Sequence, residues 1–300
     1  LISACFPMSI QTKADLALLG ITFIWGTSFS IIKDAIARFD ALEFLALRFV
    51  LATAVLVILF RRDIGAGQRG DFVAALCVGL ILWVGFTLQV KGLELTTPSK
   101  SAFVTGFSVI LVPLFEAALK RKLPSFVNLL CAGSALAGLY LLAGTHSLRP
   151  FDWGIFLTFL CAVAFALHII VVGHFAKSRN LNVLVVGQIA VTAVASSVLA
   201  FRSGVPSQHL SGRIAAALFV TAVLATALAF YIQNWAQKHT VPSRTALIFS
   251  MEPVFAAVVT YFTLYERWNS QMFIGCGLIF IGIIASELGS KEKIAMESMG

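Results

Sequence analysis

The sequence predicts an all-α integral membrane protein of ten transmembrane helices arranged as two inverted five-helix repeats, and three observations carry that prediction. Of the 300 residues, 12% are charged and 59% hydrophobic, with a mean hydropathy of +0.93, whereas a soluble domain has about 25% charged residues. The apolar residues form ten continuous runs instead of alternating, which points to helices and away from an outer-membrane barrel. The chain also repeats itself at a spacing of 144 residues.

Charge clusters, Pro and Gly delimit the runs at 14–36, 41–60, 72–91, 98–119, 126–144, 153–175, 181–202, 212–237, 241–265 and 270–288. Each is near the length of about 17–25 residues that a spanning helix needs. No stretch is left over for a separate soluble domain. The first run follows Lys13 like a signal peptide, but it is too long and lacks a small-x-small cleavage site, so it reads as a membrane helix. Met8-Ser9-Ile10-Gln11-Thr12-Lys13 reads as a native start, which sets residues 1 to 7 upstream of it or foreign to it.

The formal charge of +8 lies in short connectors, not on one basic face, so it argues for membrane topology and against nucleic-acid binding. With ten spans both termini share a side. That side carries 13 basic residues: Lys13, Arg61, Arg62, Arg69, Lys120, Arg121, Lys122, Lys177, Arg179, Lys238, Arg244, Lys291 and Lys293. The other side carries eight, namely Lys33, Arg38, Lys91, Lys100, Arg149, Arg202, Arg213 and Arg267. The bias places both termini in the cytoplasm of a multi-pass cell (inner) membrane protein. Cys5, Cys77, Cys131, Cys161 and Cys276 show no CxxC or Cys/His spacing, and four lie in apolar runs. Buried inert thiols are expected, with no metal site, disulfide or cofactor.

Pro98-Ser99-Lys100-Ser101-Ala102 matches Pro242-Ser243-Arg244-Thr245-Ala246, and Gly133 with Gly138 matches Gly277 with Gly282, each 144 positions apart. Between them Pro113-Leu114-Phe115 matches Pro253-Val254-Phe255 at 140, which implies about one helical turn inserted and then compensated. Two repeats follow, 14–144 and 153–288. Five is odd, so the second enters the membrane from the opposite side, and inverted repeats are the architecture of alternating access to a site near the midplane.

The first helix carries Trp25-Gly26-Thr27-Ser28-Phe29, the second Arg48-Phe49, and the ninth Glu252-Pro253-Val254-Phe255-Ala256-Ala257. In this order, and with the helix count and duplication, the chain from about residue 14 to 288 resembles the EamA-type transporters of the drug/metabolite transporter superfamily. Within them it looks most like the bacterial aromatic amino acid exporters. The resemblance implies export of amino acids, metabolites or drugs through a central cavity. One departure is Val112 in the fourth helix, where the ninth has Glu252 before its proline.

Candidate substrate-binding residues lie where aromatic and polar groups share a helical face. Trp25, Phe29 and Lys33 recur at i, i+4, i+8, with Ser28 beside them; Trp25 either walls a site or packs on a neighbour, and Lys33 alone reads as snorkelling outward. Trp83 and Phe86 share a face with Gln89 close to it. Ser101, Thr105 and Ser108 form a small polar stripe that lines a water path or lets helices approach closely. His168, in line with Cys161 and Phe165, contacts substrate or bonds a neighbouring helix. Tyr231, Asn234, Trp235 and Lys238 form a stripe expected to face the interior. Gly133, Gly275 and Gly282 read as close-packing positions, and Glu116 with Lys120 as an i,i+4 pair.

Arg48 cannot stay unpaired in hydrocarbon. An ion pair with Glu43, Asp34 or Glu94, or a carbonyl cap, is the first reading, and capture of a substrate carboxylate the second. Glu252, near the middle of its span, either couples proton movement or bonds groups freed by Pro253, and the structural role is favoured. The expected function is alternating-access export of a small amphipathic metabolite, most of all an aromatic or large apolar amino acid. A monomer in the bilayer suffices, and drug or nucleoside export is the alternative. A membrane-embedded enzyme is disfavoured by the lack of HExxH, GxSxG or a clustered Asp pair.

Overall fold

The computed structural model describes residues 8–121, 126–143, 152–204, 210–264, 270–271, 273–282 and 285, and every element among them is helical. In chain order these are α1 (Ile10–Ile36), α2 (Ala41–Gly65), α3 (Arg69–Leu95), α4 (Pro98–Thr105), α5 (Ser108–Lys120) and α6 (Phe126–Ala143). They continue as α7 (Trp153–Phe175), α8 (Leu181–Arg202), α9 (Gly212–Ala222), α10 (Ala229–Gln237), α11 (Pro242–Phe249) and α12 (Glu252–Leu264), then α13 (Phe273–Gly282). A π-helical stretch, Val223–Leu228, joins α9 to α10 without a break.

Among the described residues seven stretches are long and apolar enough to cross a membrane: α1, α2, α3, the α4–α5 segment over Lys100–Lys120, α7, α8, and Gly212–Gln237. Their outward faces carry apolar side chains that water would not tolerate in such number, Ile58 at 73% exposure and Phe201 at 88% among them. Of the cysteines, Cys131, Cys161 and Cys276 are buried as expected, but Cys77 is exposed on such a face; Cys5 lies outside the described residues. The last two turns of the expected 270–288 span also fall largely outside them.

Local chemistry sets where the helices begin. Asp40 accepts from the backbone N–H of Leu42 and Glu43 at 2.9 Å, Asp152 caps α7 and Asn180 caps α8 through the same geometry. Asp71 accepts from the N–H of Gln68 at 2.9 Å and from that of Asn180 at 3.2 Å, which ties the start of α3 to the start of α8. Pro98 and Pro242 occupy the first helical positions of α4 and α11, where no backbone donor is missed.

The two broken helices share one plan. An eight-residue helix opened by proline is followed by a two-residue interruption, Gly106-Phe107 or Ser250-Met251, and then by a thirteen-residue helix. The spacing of 144 therefore holds throughout. Pro113 lies inside α5 while Pro253 sits in the first turn of α12, so the expected inserted turn is absent and the proline match at 140 has no structural counterpart.

α3 packs along α7 and α8, α2 along α8, and α1 against α9 to α12, so elements of the two sequence repeats interleave. Glycines make the closest approaches possible. A Cβ at Gly79 would stand 2.7 Å from Val191 and 2.8 Å from the Gln188 carbonyl. Gly138 meets the Gly275 backbone, and a Cβ at Gly282 would lie 2.9 Å from the Cys131 carbonyl, the small-residue packing expected for α6 and α13. Gly133 has nothing near it and takes no part.

Candidate functional site

A cavity lies among α1, α2, α3, α7, α10 and the two helix breaks. Its walls are a lattice of rings. Trp25 meets Phe249 edge-on at 5.0 Å between centroids and Phe230 at 5.5 Å. Phe86 meets Phe165 at 5.2 Å and Phe230 at 5.9 Å, each edge to face. Ser28, Phe29, Gln89, Thr105, Ser108, His168, Gln233, Arg48 and Glu252 complete the lining that matters here.

One wall depends on the π-helical stretch. A π turn adds a residue to each turn and breaks the regular i to i−4 ladder. The Ala225 carbonyl there accepts from Trp25 Nε1 at 2.8 Å and from an Arg48 Nη2–H at 3.3 Å. Thr226 Oγ1 donates to the Thr221 carbonyl at 2.9 Å and accepts from Arg48 Nε at 2.7 Å. The Arg48 guanidinium carbon lies 5.0 Å from the Phe86 ring centroid. The residue is buried at 3% exposure and, among the described residues, touches no carboxylate. Of the two forms of the first reading, the carbonyl cap is present and is joined by a hydroxyl, whereas the ion pair is not formed: Asp34 pairs with Arg213 at 3.0 Å and Glu94 with Lys91 at 2.9 Å.

Glu252 opens α12 beside the break and lines the cavity. Its place is fixed by α1, since a Cβ at Gly26 would stand 2.6 Å from the Glu252 carbonyl and 2.9 Å from Phe255 Cβ. Among the described residues its carboxylate takes part in no ion pair and accepts no hydrogen bond from the groups around Pro253, which is itself buried. The favoured structural role for this acid therefore finds no partner here. His168 makes the expected bond to a neighbouring helix, its Nε2 lying 2.9 Å from Gln188 Oε1, while it also lines the cavity and its ring meets Phe230.

Of the other sequence candidates, Trp25, Phe29, Phe86, Gln89 and Thr105 line the cavity and six do not. Lys33 neither enters it nor hangs free, but caps the end of α3 by donating to the carbonyls of Leu93, Glu94 and Thr96 at 2.6, 3.1 and 2.9 Å. Trp83 is half-buried away from the lining, and Ser101 is buried in helix packing. Tyr231 stacks on Phe60 at 5.2 Å, Asn234 donates to the Phe230 carbonyl at 2.8 Å, and Trp235 packs beside His239. Phe230 and Gln233 face the cavity from α10 in their stead. That face also mixes a ring with amides, but it was hidden behind the more conspicuous Tyr-Asn-Trp stripe.

Toward the start of α1 lies a buried apolar cluster that includes Leu18, Ile21, Val112, Ile169 and Ile248. Beyond it Arg244 grips Asp15 through two bonds of 3.1 and 2.6 Å, and Ser243 bonds Glu116, which pairs with Lys120 at 2.9 Å. The Asp15 and Arg244 side chains are only 16% and 9% exposed, so this end of the bundle holds a largely buried charge pair.

The profile of the EamA-like transporter family matches the chain twice, over residues 12–144 and 152–287. An uncharacterized transporter of Archaeoglobus fulgidus is 28% identical over 275 residues, covering 92% of this chain and 86% of its own. The uncharacterized transporter YyaM of Bacillus subtilis is 25% identical over 285 residues, covering 90% and 92%. A solved crystal structure superposes with a TM-score of 0.77 at 19% identity, over 94% of this chain and 98% of the other, which extends the likeness to the fold. The membrane-spanning helices, the cavity and the double match agree: this chain belongs to the EamA-like transporter family.

Proposed function

We propose that this membrane transporter exports small amphipathic metabolites, foremost amino acids with aromatic or large apolar side chains, by alternating access through the cavity. The observation that carries this reading is the lining itself: a lattice of Trp and Phe rings interrupted by one guanidinium and one carboxylate. Apolar walls with a few fixed polar groups suit a ligand that has one ring and a charged head. In this reading the ten spans form two inverted repeats, 14–144 and 153–288, and the twin interrupted helices are their corresponding elements. The basic-residue bias supports an inner-membrane placement with both termini cytoplasmic, and one copy contains both halves.

Flux in proteoliposomes tests the substrate class. L-Phenylalanine and L-tryptophan are expected to move down their gradients, ahead of nucleosides and cationic drugs in the same panel. Movement of nucleosides or drugs with none of the amino acids would replace this reading with the other substrate class of the superfamily.

A further inference from the structure

We infer that Arg48 and Glu252 form a two-ended cradle for a zwitterionic head group, with the substrate carboxylate on Arg48 and its ammonium on Glu252, and that Thr226 is the residue that positions Arg48 for this contact. The inference rests on the amino acid reading of the cavity and assigns the orientation of the ligand within it.

The argument starts from what burial costs. A guanidinium taken out of water without a counter-ion is strongly unfavourable, and so is a carboxylate. Arg48 has five N–H donors. Thr226 Oγ1 holds the Nε–H and the Ala225 carbonyl holds one Nη2–H. No described residue accepts from the remaining three, although the side chain lines the cavity. Glu252 lines the same cavity without a cation. The two do not pair with each other. Each charge thus lacks its complement, and a ligand bearing both signs on one carbon supplies both at once. A ligand with only one sign would leave the other charge as it stands.

Thr226 acts through Arg48, not on the ligand. Its hydroxyl is available because the π register carries it to the Thr221 carbonyl five residues back, which orients the oxygen to accept from Arg48. The Nε–H is thereby engaged, and the three other donors are left without an acceptor among the described residues. Without the hydroxyl the guanidinium can swing, and its planar fork no longer presents two parallel donors to a carboxylate.

Competition with labelled L-phenylalanine flux by the full-length reconstituted protein tests the cradle. The competitors are L-phenylalanine, phenylalaninamide, which lacks the carboxylate, and 3-phenylpropionate, which lacks the ammonium. Each analogue is expected to compete at least about tenfold more weakly than L-phenylalanine, as loss of a charge-assisted hydrogen bond requires. Thr226→Val is expected to raise KM for L-phenylalanine about tenfold with little change in kcat. It should leave inhibition by phenylalaninamide unchanged, and Thr226→Ser should restore the wild-type KM. Equal competition by all three compounds overturns the cradle. A Thr226→Val protein that weakens L-phenylalanine and its amide alike, or neither, overturns the positioning role; if that variant does not fold, the altered KM of Thr226→Ala decides in its place. Thermal stabilisation of the solubilised protein by the same compounds reads binding apart from transport. Stabilisation by L-phenylalanine above both analogues, without flux, would sink export and uphold the cradle, while stabilisation by none of them sinks the cradle.

Discussion

Gly26→Leu is expected to abolish the assembled transporter, whereas Gly20→Leu, six residues earlier on the same helix, is expected to leave it monodisperse and active. The two glycines differ in what surrounds them. A Cβ at Gly20 meets nothing within 4 Å. At Gly26 it meets the Glu252 carbonyl at 2.6 Å, Phe255 Cβ at 2.9 Å and the Ala256 nitrogen at 3.1 Å, and backbone cannot step aside as a flexible side chain can. Helix propensity favours any ordinary residue over glycine here by about 0.3–1 kcal/mol, so the glycine stands against its local preference because α12 leaves no room. Overpacking costs about 1–3 kcal/mol in a well-packed interior, and a leucine against backbone belongs at or above that upper value. Size-exclusion profiles in detergent and L-phenylalanine flux check the pair of variants. An active Gly26→Leu protein would mean that α1 and α12 do not approach as closely as described.

Glu252→Gln is expected to fold normally, with an unchanged elution profile, and to lose L-phenylalanine flux by about tenfold or more, the scale of a hydrogen bond to a charged group. Glutamine keeps the volume and one acceptor oxygen but not the charge that an ammonium requires in a site lined by aromatic rings. The expectation runs against the role favoured on sequence grounds, in which the acid bonds groups freed by Pro253. That role needed a donor near α12, and among the described residues none reaches the carboxylate. A glutamine variant with wild-type flux would return Glu252 to a structural role.

How much of this was legible beforehand depended on whether a feature was local. Hydropathy marked the helices and the paired Pro98 and Pro242 marked two corresponding helices, because each is written within a few residues. The cavity was half legible. Trp25 and Phe29 point into it as their shared face suggested, but α10 carries aromatic and amide side chains on two faces, and periodicity cannot rank Tyr231, Asn234 and Trp235 against Phe230 and Gln233. The partners of Arg48 were out of reach for another reason. A carbonyl cap was expected, but which carbonyl could not be read, because the Val-Leu-Ala-Thr-Ala-Leu stretch that makes the π turn is unremarkable apolar sequence. Lys33 shows the same limit, since its acceptors are backbone carbonyls 60 and more residues away.

The central claim is that an amino acid lies in this cavity with its head group between Arg48 and Glu252. The anomalous signal of 4-iodo-L-phenylalanine in crystals of the full-length protein tests it directly. The account predicts one iodine site among the rings of Trp25, Phe86, Phe165 and Phe230, with density for the carboxylate at Arg48 and for the amine at Glu252. An iodine site elsewhere in the protein, or a ligand in the cavity with its head group turned away from both residues, would contradict it.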